Sequence, residues 1–325
     1  MSESKPGLAA GRPLAVQPVA AQPVAAQPVA GQPRRSHRVR FPGGNGFELA
    51  GIIDLPAIAG SAVGSATAVA DHPARVLPLG TPLVVFSHCF TCNKDLKAIV
   101  RISRALADAG IAVLRYDMTG LGGSDGDFSH TDFTSNLADL RAALTWAAVE
   151  LGPVTGLLGH SFGGAASLAI GGDAASLPRS VAGIATLAAP SETKHLATLM
   201  VRMNAAIESE GRGEVEIGGR RWTIRREALA DFRIHRLEEA ISRISVPLML
   251  LHSPVDRTVG FDHAMRILQL ASVRPGDAVR PPVSLVALDG ADHLLAENPA
   301  DLSYVAGVLA AFFWRYRSAS DARPA

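Results

Sequence analysis

The sequence predicts an α/β fold, a mostly parallel sheet with helices on both faces and a small insertion beside its carboxyl edge. Largely apolar runs of six or seven residues recur at 82–87, 111–116, 154–159, 181–187, 247–253 and 283–288. Strands without polar alternation are covered on both faces, which is the mark of a parallel sheet. Stretches with helical spacing stand between them, at 94–109, 131–150, 163–170, 261–271 and 299–315. Strand and helix in alternation bring each strand back beside an earlier one, pointing the same way.

Residues 1–36 stand outside this rhythm. Gln-Pro-Val-Ala recurs at 17–20, 22–25 and 27–30. Proline removes amide donors and the segment has no large side chains to bury, so a disordered or polyproline-like arm is expected. Proline in every repeat also interrupts the apolar core a signal peptide needs. From His37 the texture changes. Arg38–Phe41 and Phe47–Asp54 flank Gly43-Gly44-Asn45-Gly46 and read as two strands joined by a turn. Residues 57–80 have no period and read as a surface loop. The helix over 94–109 carries Leu96, Ile99, Val100 and Leu106 on one face and ends at Gly110.

The alternation breaks over 190–245. Glu192–Glu210 reads as a helix with the stripe Leu196, Leu199, Met200 and Met203. Glu214–Ile217 and Arg221–Arg225 read as a hairpin around Gly218-Gly219, and a helix starts at Glu227. An insertion here, after one sheet strand and before the next, is expected to cover the carboxyl edge as a lid. The domain then spans 37–318, with a tail at 319–325.

Composition excludes several functions. The 325 residues carry 31 basic and 30 acidic side chains, a net charge of +1, which gives no electrostatic footprint for nucleic acid. No apolar run reaches the ~18 residues of a membrane span. Two cysteines make neither a disulfide framework nor a four-ligand zinc site. The expectation is a soluble cytoplasmic protein acting on a small molecule without cofactor or metal, and compatible with a homo-oligomer.

Sites in such sheets lie beyond the carboxyl ends of the strands. Gly159-His160-Ser161-Phe162-Gly163 follows one strand and opens a helix. A nucleophile on so sharp a turn needs glycine neighbours, and the helix N-terminus behind it favours developing negative charge. A serine needs a base and the base an orienting acid, in the chain order Ser, acid, His. Asp256 follows the strand 247–253 and His293 follows the strand 283–288, so these are the expected acid and base. Asp289 and Asp292 stand too near His293 in sequence to approach it from another strand, His263 falls in a helix and His252 within a strand. The oxyanion of an acyl transfer also needs donors. The expected ones are the backbone amides of Phe162 and of Phe90, the latter in the loop Cys89-Phe90-Thr91-Cys92, with Cys89 as the neighbouring choice. Met200, Met203 and Trp222 are the expected substrate contacts.

With these stations in place the chain resembles a serine α/β-hydrolase from about residue 38 to 316. Asp117-Met-Thr-Gly120-Leu-Gly122-Gly-Ser124 is similar to a loop of its esterase and lipase-like branches. His88-Cys-Phe-Thr-Cys92-Asn-Lys-Asp95, Gly120–Phe128 and the stretch Glu214–Asp231 resemble the hydrolase half of proteins that fuse such a domain to an OsmC-type peroxidase-like domain. The chain ends at Ala325, soon after the last helix, so an OsmC domain is not expected to follow. The resemblance implies the α/β-hydrolase fold and a serine carboxylesterase or acyl hydrolase.

Two other readings stay open. Cys89-Phe-Thr-Cys92 at a strand-to-helix turn is placed for thiol redox chemistry, either as the main activity or as a switch on the hydrolase; the plain alternative is two half-buried thiols. A binding protein that keeps the fold without the chemistry is the other. Gly120-Leu-Gly122-Gly-Ser-Asp125 imitates a dinucleotide fingerprint, but no helix is expected to open there.

Overall fold

The structure, a computed structural model, describes residues 35–57, 77–272 and 280–318. The expected arm through residue 34, most of the 57–80 loop and the tail lie outside the described residues. The chain lays down β1 (Arg35–Pro42), β2 (Glu48–Leu55), β3 (Leu83–Ser87), α1 (Lys97–Asp108), β4 (Ala112–Tyr116), α2 (Phe133–Glu150), β5 (Gly156–His160), α3 (Phe162–Gly171) and β6 (Gly183–Leu187). An insertion follows, with α4 (Lys194–Met203), α5 (Ala206–Ser209), β7 (Arg212–Ile217), β8 (Arg220–Arg225), α6 (Arg226–Ile234) and α7 (Leu237–Arg243). The main rhythm then resumes through β9 (Leu248–His252), α8 (Phe261–Ser272), β10 (Val283–Ala287) and α9 (Pro299–Arg315).

Eight strands form one sheet in the order β1-β2-β4-β3-β5-β6-β9-β10. The pairs β1/β2 and β2/β4 are antiparallel, and every later pair is parallel. β1 takes in Arg35 and Ser36, whose register partners are Leu55 and Asp54, so the strand starts ahead of the expected boundary. The central strands β3, β4, β5, β6 and β9 are buried at every residue, as their unbroken apolar sequences require. On one face Leu114, Leu140, Leu144 and Leu168 join the core, and on the other Ile99, Ile102, Leu309 and Phe313. The chain runs outward from β3 to β4 and then returns to place β5 on the other side of β3. The loops after β3 and β5 therefore diverge above a switch point, where a crevice opens.

Local chemistry sets the element ends. α2 opens on a reciprocal cap, in which the Ser135 amide donates to Asp132 Oδ1 and the Asp132 amide to Ser135 Oγ, both at 2.7 Å. α1 begins three residues later than its periodicity suggests, because Lys94 turns inward to Asp117. The single helix expected over 192–210 is two. Asn204 ends α4, its Oδ1 accepting the Ala206 amide at 3.0 Å and its Nδ2 donating to the Glu214 carbonyl at 2.9 Å. The expected hairpin is β7/β8, a two-stranded sheet of its own. Asp231 of α6 accepts the Phe133 and Thr134 amides at 2.8 and 3.2 Å and so fastens the insertion to the start of α2.

Candidate active site

Ser161 occupies the turn between β5 and α3 with φ 52° and ψ −114°, a backbone conformation that side chains other than glycine rarely adopt. The flanking glycines are what permit it. A Cβ on Gly159 would come within 2.2 Å of the Gly163 carbonyl oxygen, and one on Gly163 within 2.3 Å of the Ser87 carbonyl oxygen. The Ser161 amide donates to the Leu187 carbonyl at 2.8 Å, which ties the turn to β6.

The turn after β9 brings Asp256 and the turn after β10 brings His293 to this same edge. Ser161 Oγ lies 3.0 Å from His293 Nε2, and His293 Nδ1 lies 2.7 Å from Asp256 Oδ2. With Asp256 ionised, Nδ1–H donates to the carboxylate and Nε2 is left to accept the serine proton. The other carboxylate oxygen of Asp256 accepts the Thr258 and Val259 amides at 2.8 and 3.0 Å. Burial, the largest influence on this carboxyl, raises its pKa. The hydrogen bond and charge of His293 and the two amides outweigh burial and hold the group below the ordinary carboxylate range. This arrangement can move a proton from Ser161 to His293 while Asp256 fixes the tautomer.

Phe162 opens α3 and Phe90 stands in the loop after β3; both line the cavity that contains Ser161 and His293. Neither backbone amide has an acceptor among the described residues. The loop that carries Phe90 is braced from below. Buried His88 donates from Nδ1 to the Cys89 carbonyl at 2.8 Å and accepts the Met118 amide at Nε2, 3.1 Å away. Burial lowers the His88 pKa and favours this neutral form. Buried Asp117 accepts Lys94 Nζ and the Gly123 amide, each at 2.7 Å. The glycine-rich segment that imitates a dinucleotide fingerprint is thus closed on a carboxylate at its own start.

Cys89 and Cys92 are joined by a disulfide, which corrects the expectation of two thiols. The reason is a turn: the Cys92 amide donates to the Cys89 carbonyl at 3.2 Å and brings the Cα atoms to 5.3 Å. The bridge brackets Phe90 and Thr91, and Thr91 has φ 59°.

The cavity has a volume of about 860 Å³. The insertion supplies much of its wall through Leu196, Leu199, Met200, Met203, Ile217 and Trp222. All three residues expected as substrate contacts stand in this wall. Met200 is fully buried, Met203 is exposed, and the Trp222 indole N–H donates to the Ile217 carbonyl at 3.3 Å across β7/β8. Of the alternative histidines, His252 donates to the Val259 carbonyl at 2.7 Å. His263 accepts the Ser191 amide at 3.2 Å. Sequence reasoning passed over His88 and His160. The latter, adjacent to Ser161, reaches the His293 carbonyl at 2.8 Å, and its position next to the nucleophile was the available signal.

Comparison with known proteins agrees with this architecture. A profile of the Alpha/beta hydrolase family matches residues 80–303. Among solved structures, the esterase domain of a Rhodothermus marinus protein is 35% identical, with 87% of this chain and 100% of that one covered at a TM-score of 0.61. Est1E from Butyrivibrio proteoclasticus, with ferulic acid bound, is 20% identical, with 86% and 99% covered at 0.65. An esterase from Pyrococcus furiosus is 14% identical, with 88% and 94% covered at 0.60. The last two are similar in fold alone. No curated protein matches the sequence. No helix among the described residues is long and apolar enough to cross a membrane. From the profile over most of the chain and the sheet order together, the chain belongs to the alpha/beta hydrolase family.

Proposed function

We propose that the protein is a serine hydrolase of carboxylic ester-type bonds, working through Ser161, His293 and Asp256 and a covalent acyl-enzyme. The observation that carries this is the hydrogen-bonded chain Ser161–His293–Asp256, at 3.0 and 2.7 Å, in which Ser161 and His293 line the cavity and Asp256 is buried behind them. Ser161 Oγ attacks the acyl carbonyl as His293 Nε2 takes its proton. The Phe90 and Phe162 amides hold the oxyanion. The leaving alcohol departs with the proton from His293, and water repeats the sequence to free the acid and restore Ser161. The elements over 190–245 serve as a lid whose Met200, Met203 and Trp222 take an apolar acyl or alcohol group. The ferulic acid bound by Est1E is one carboxylic acid with an aromatic body of this kind.

A fluorophosphonate probe together with p-nitrophenyl esters of graded chain length tests the reading. Ser161→Ala and His293→Ala should each lower kcat by about 10⁴- to 10⁶-fold while the thermal midpoint stays near wild type. Near-normal turnover or labelling in Ser161→Ala would remove the assignment.

The disulfide favours a second reading, redox control of this same activity. Exchange with a small dithiol would convert the Cys89–Cys92 bond to two thiols and the reductant to its own disulfide, releasing the brace around Phe90. Loss of one oxyanion donor usually costs about 100- to 1,000-fold in turnover, which bounds the effect. Activity should fall under dithiothreitol, recover on reoxidation, and become insensitive to both in Cys92→Ser. Equal rates for the reduced and oxidised wild type would dispose of the switch.

A further inference from the structure

His160 is buried and does not line the substrate cavity, yet it is bound to the histidine that the proposed reaction needs. Its Nε2–H donates to the backbone carbonyl of His293 at 2.8 Å, and the two rings lie 5.2 Å apart between centroids. His293 in turn reaches Ser161 Oγ at 3.0 Å. His160 and Ser161 are consecutive, so one turn of chain grips His293 twice, by its main chain and by its ring. We propose that His160 is a positioning residue that sets the register of the His293 imidazole on the Ser161 hydroxyl, an inference that rests on the hydrolase reading above.

Other restraints act on the same turn. Upstream, the Leu288 amide donates to the His252 carbonyl at 2.9 Å and the Ala291 amide to the Leu288 carbonyl at 3.2 Å, while Asp256 holds His293 Nδ1 at 2.7 Å. The Asp292 carboxylate accepts the amides of Leu294, Ala296 and Glu297 at 3.1, 2.8 and 2.9 Å, all within the same turn. These bonds shape the turn and tie it to β9 and to Asp256. The bond from His160 ties it to β5 as well, at the residue next to Ser161, and it joins residues 133 apart in sequence. A base displaced by about 1 Å can cost about 100-fold in rate, so a single hydrogen bond at this position has leverage.

The protonation state of His160 suits the role. Because Nε2 donates, Nδ1 carries the lone pair, and Nδ1 is buried with no partner among the described residues. A proton on Nδ1 would have no acceptor and would stand beside a ring that becomes cationic during each turnover. His160 therefore remains a neutral donor through the whole cycle, and its bond to His293 keeps the same form when His293 is charged.

Two substitutions separate positioning from bulk. His160→Gln keeps a neutral N–H at about the reach of Nε2, whereas His160→Phe keeps the ring and loses the donor. In His160→Phe, Ser161-dependent fluorophosphonate labelling and kcat should fall by about 10- to 100-fold with KM changed less than about twofold, and His160→Gln should restore most of the rate. The crystal structure of His160→Phe should show His293 Nε2 beyond hydrogen-bond reach of Ser161 Oγ. The proposal is overturned if His160→Phe keeps the wild-type rate, if the Gln and Phe variants are equally slow, or if His293 stays in place in the Phe structure. Labelling that persists in Ser161→Ala would instead strike the hydrolase reading, and the crystallographic comparison would still decide the role of His160.

Discussion

Burial pushes the pKa of the His160 imidazole down to about 3, with the neighbouring His293 adding to the effect. In the unfolded chain a histidine titrates near about 6.5. Between these values the unfolded chain binds a proton that the folded chain refuses, so stability rises with pH through this window. The contribution is complete above about pH 6.5 and is lost progressively as pH falls toward 3. His88, His252 and His263 are also lowered, chiefly by burial, and act with the same sign. Asp256 acts in a different window: its lowered carboxyl adds stability above the unfolded value of about 3.9, and this is lost only in stronger acid. Urea midpoints compared at pH 7 and pH 5 should fall less in His160→Gln than in wild type. Parallel slopes in the two proteins would mean that His160 is not kept neutral by the fold.

At the scale of elements, Asp231 joins α6 to α2 across 98 positions of sequence by accepting the amides of Phe133 and Thr134, which lack an intrahelical acceptor in the first turn of α2. Burial raises its pKa, but the His235 and Thr134 hydrogen bonds and the charge of His235 prevail and keep it low. Asp231→Ala removes the capping acceptor and should cost about 1–2 kcal/mol, read as a lower thermal midpoint. Asp231→Asn keeps one acceptor oxygen and should recover part of the loss. Most elements were legible in the sequence because the deciding interactions are local: unbroken apolar runs for the strands, and the reciprocal cap of Asp132 and Ser135 for α2. The convergence of Ser161, Asp256 and His293 at one edge of the sheet was legible from their stations just past strand ends. Asn204 was not read as a break, since the Met/Leu stripe ends at Met203 just before it and an amide side chain that satisfies a turn leaves no mark on that stripe. The Cys89–Cys92 bridge was missed because counting cysteines tests for a framework and says nothing of one turn closing on itself. The His160–His293 bond ends on a backbone carbonyl, which has no side-chain signature.

Across the whole molecule a buried polar line runs from the antiparallel edge of the sheet to the base of the Phe90 loop. Ser36 Oγ donates to Asp54, and Asp54 takes Arg115 Nε at 2.8 Å. Arg115 also donates to the Lys94 carbonyl at 2.7 Å, and Lys94 pairs with Asp117. Arg115 is 1% exposed and so is Asp54, so neither charge has water to fall back on. Arg115→Met strands the Asp54 carboxylate and should destabilise by about 3–5 kcal/mol in urea unfolding, with partial recovery when Asp54→Leu is added. Full stability in the single variant would show that Asp54 finds another partner.

The roof of the cavity is not uniformly tied down. Asp231 fastens α6 to the body, and His195 of α4 donates to the Thr258 carbonyl at 3.0 Å. The β7/β8 hairpin is a separate pair of strands, and a lone hairpin draws little stiffness from its own hydrogen bonds. Trp222 meets Phe128 edge to face, with ring centroids 4.8 Å apart. Buried Val215 and Ile224 and the Asn204 bond to the Glu214 carbonyl hold one side of the hairpin, so tolerance for bulk beyond the scissile group would depend on how far the Trp222 ring can shift against Phe128. A collection of homologues selected on progressively longer acids would be expected to differ first at these two aromatic positions, while the floor of the pocket stayed unchanged.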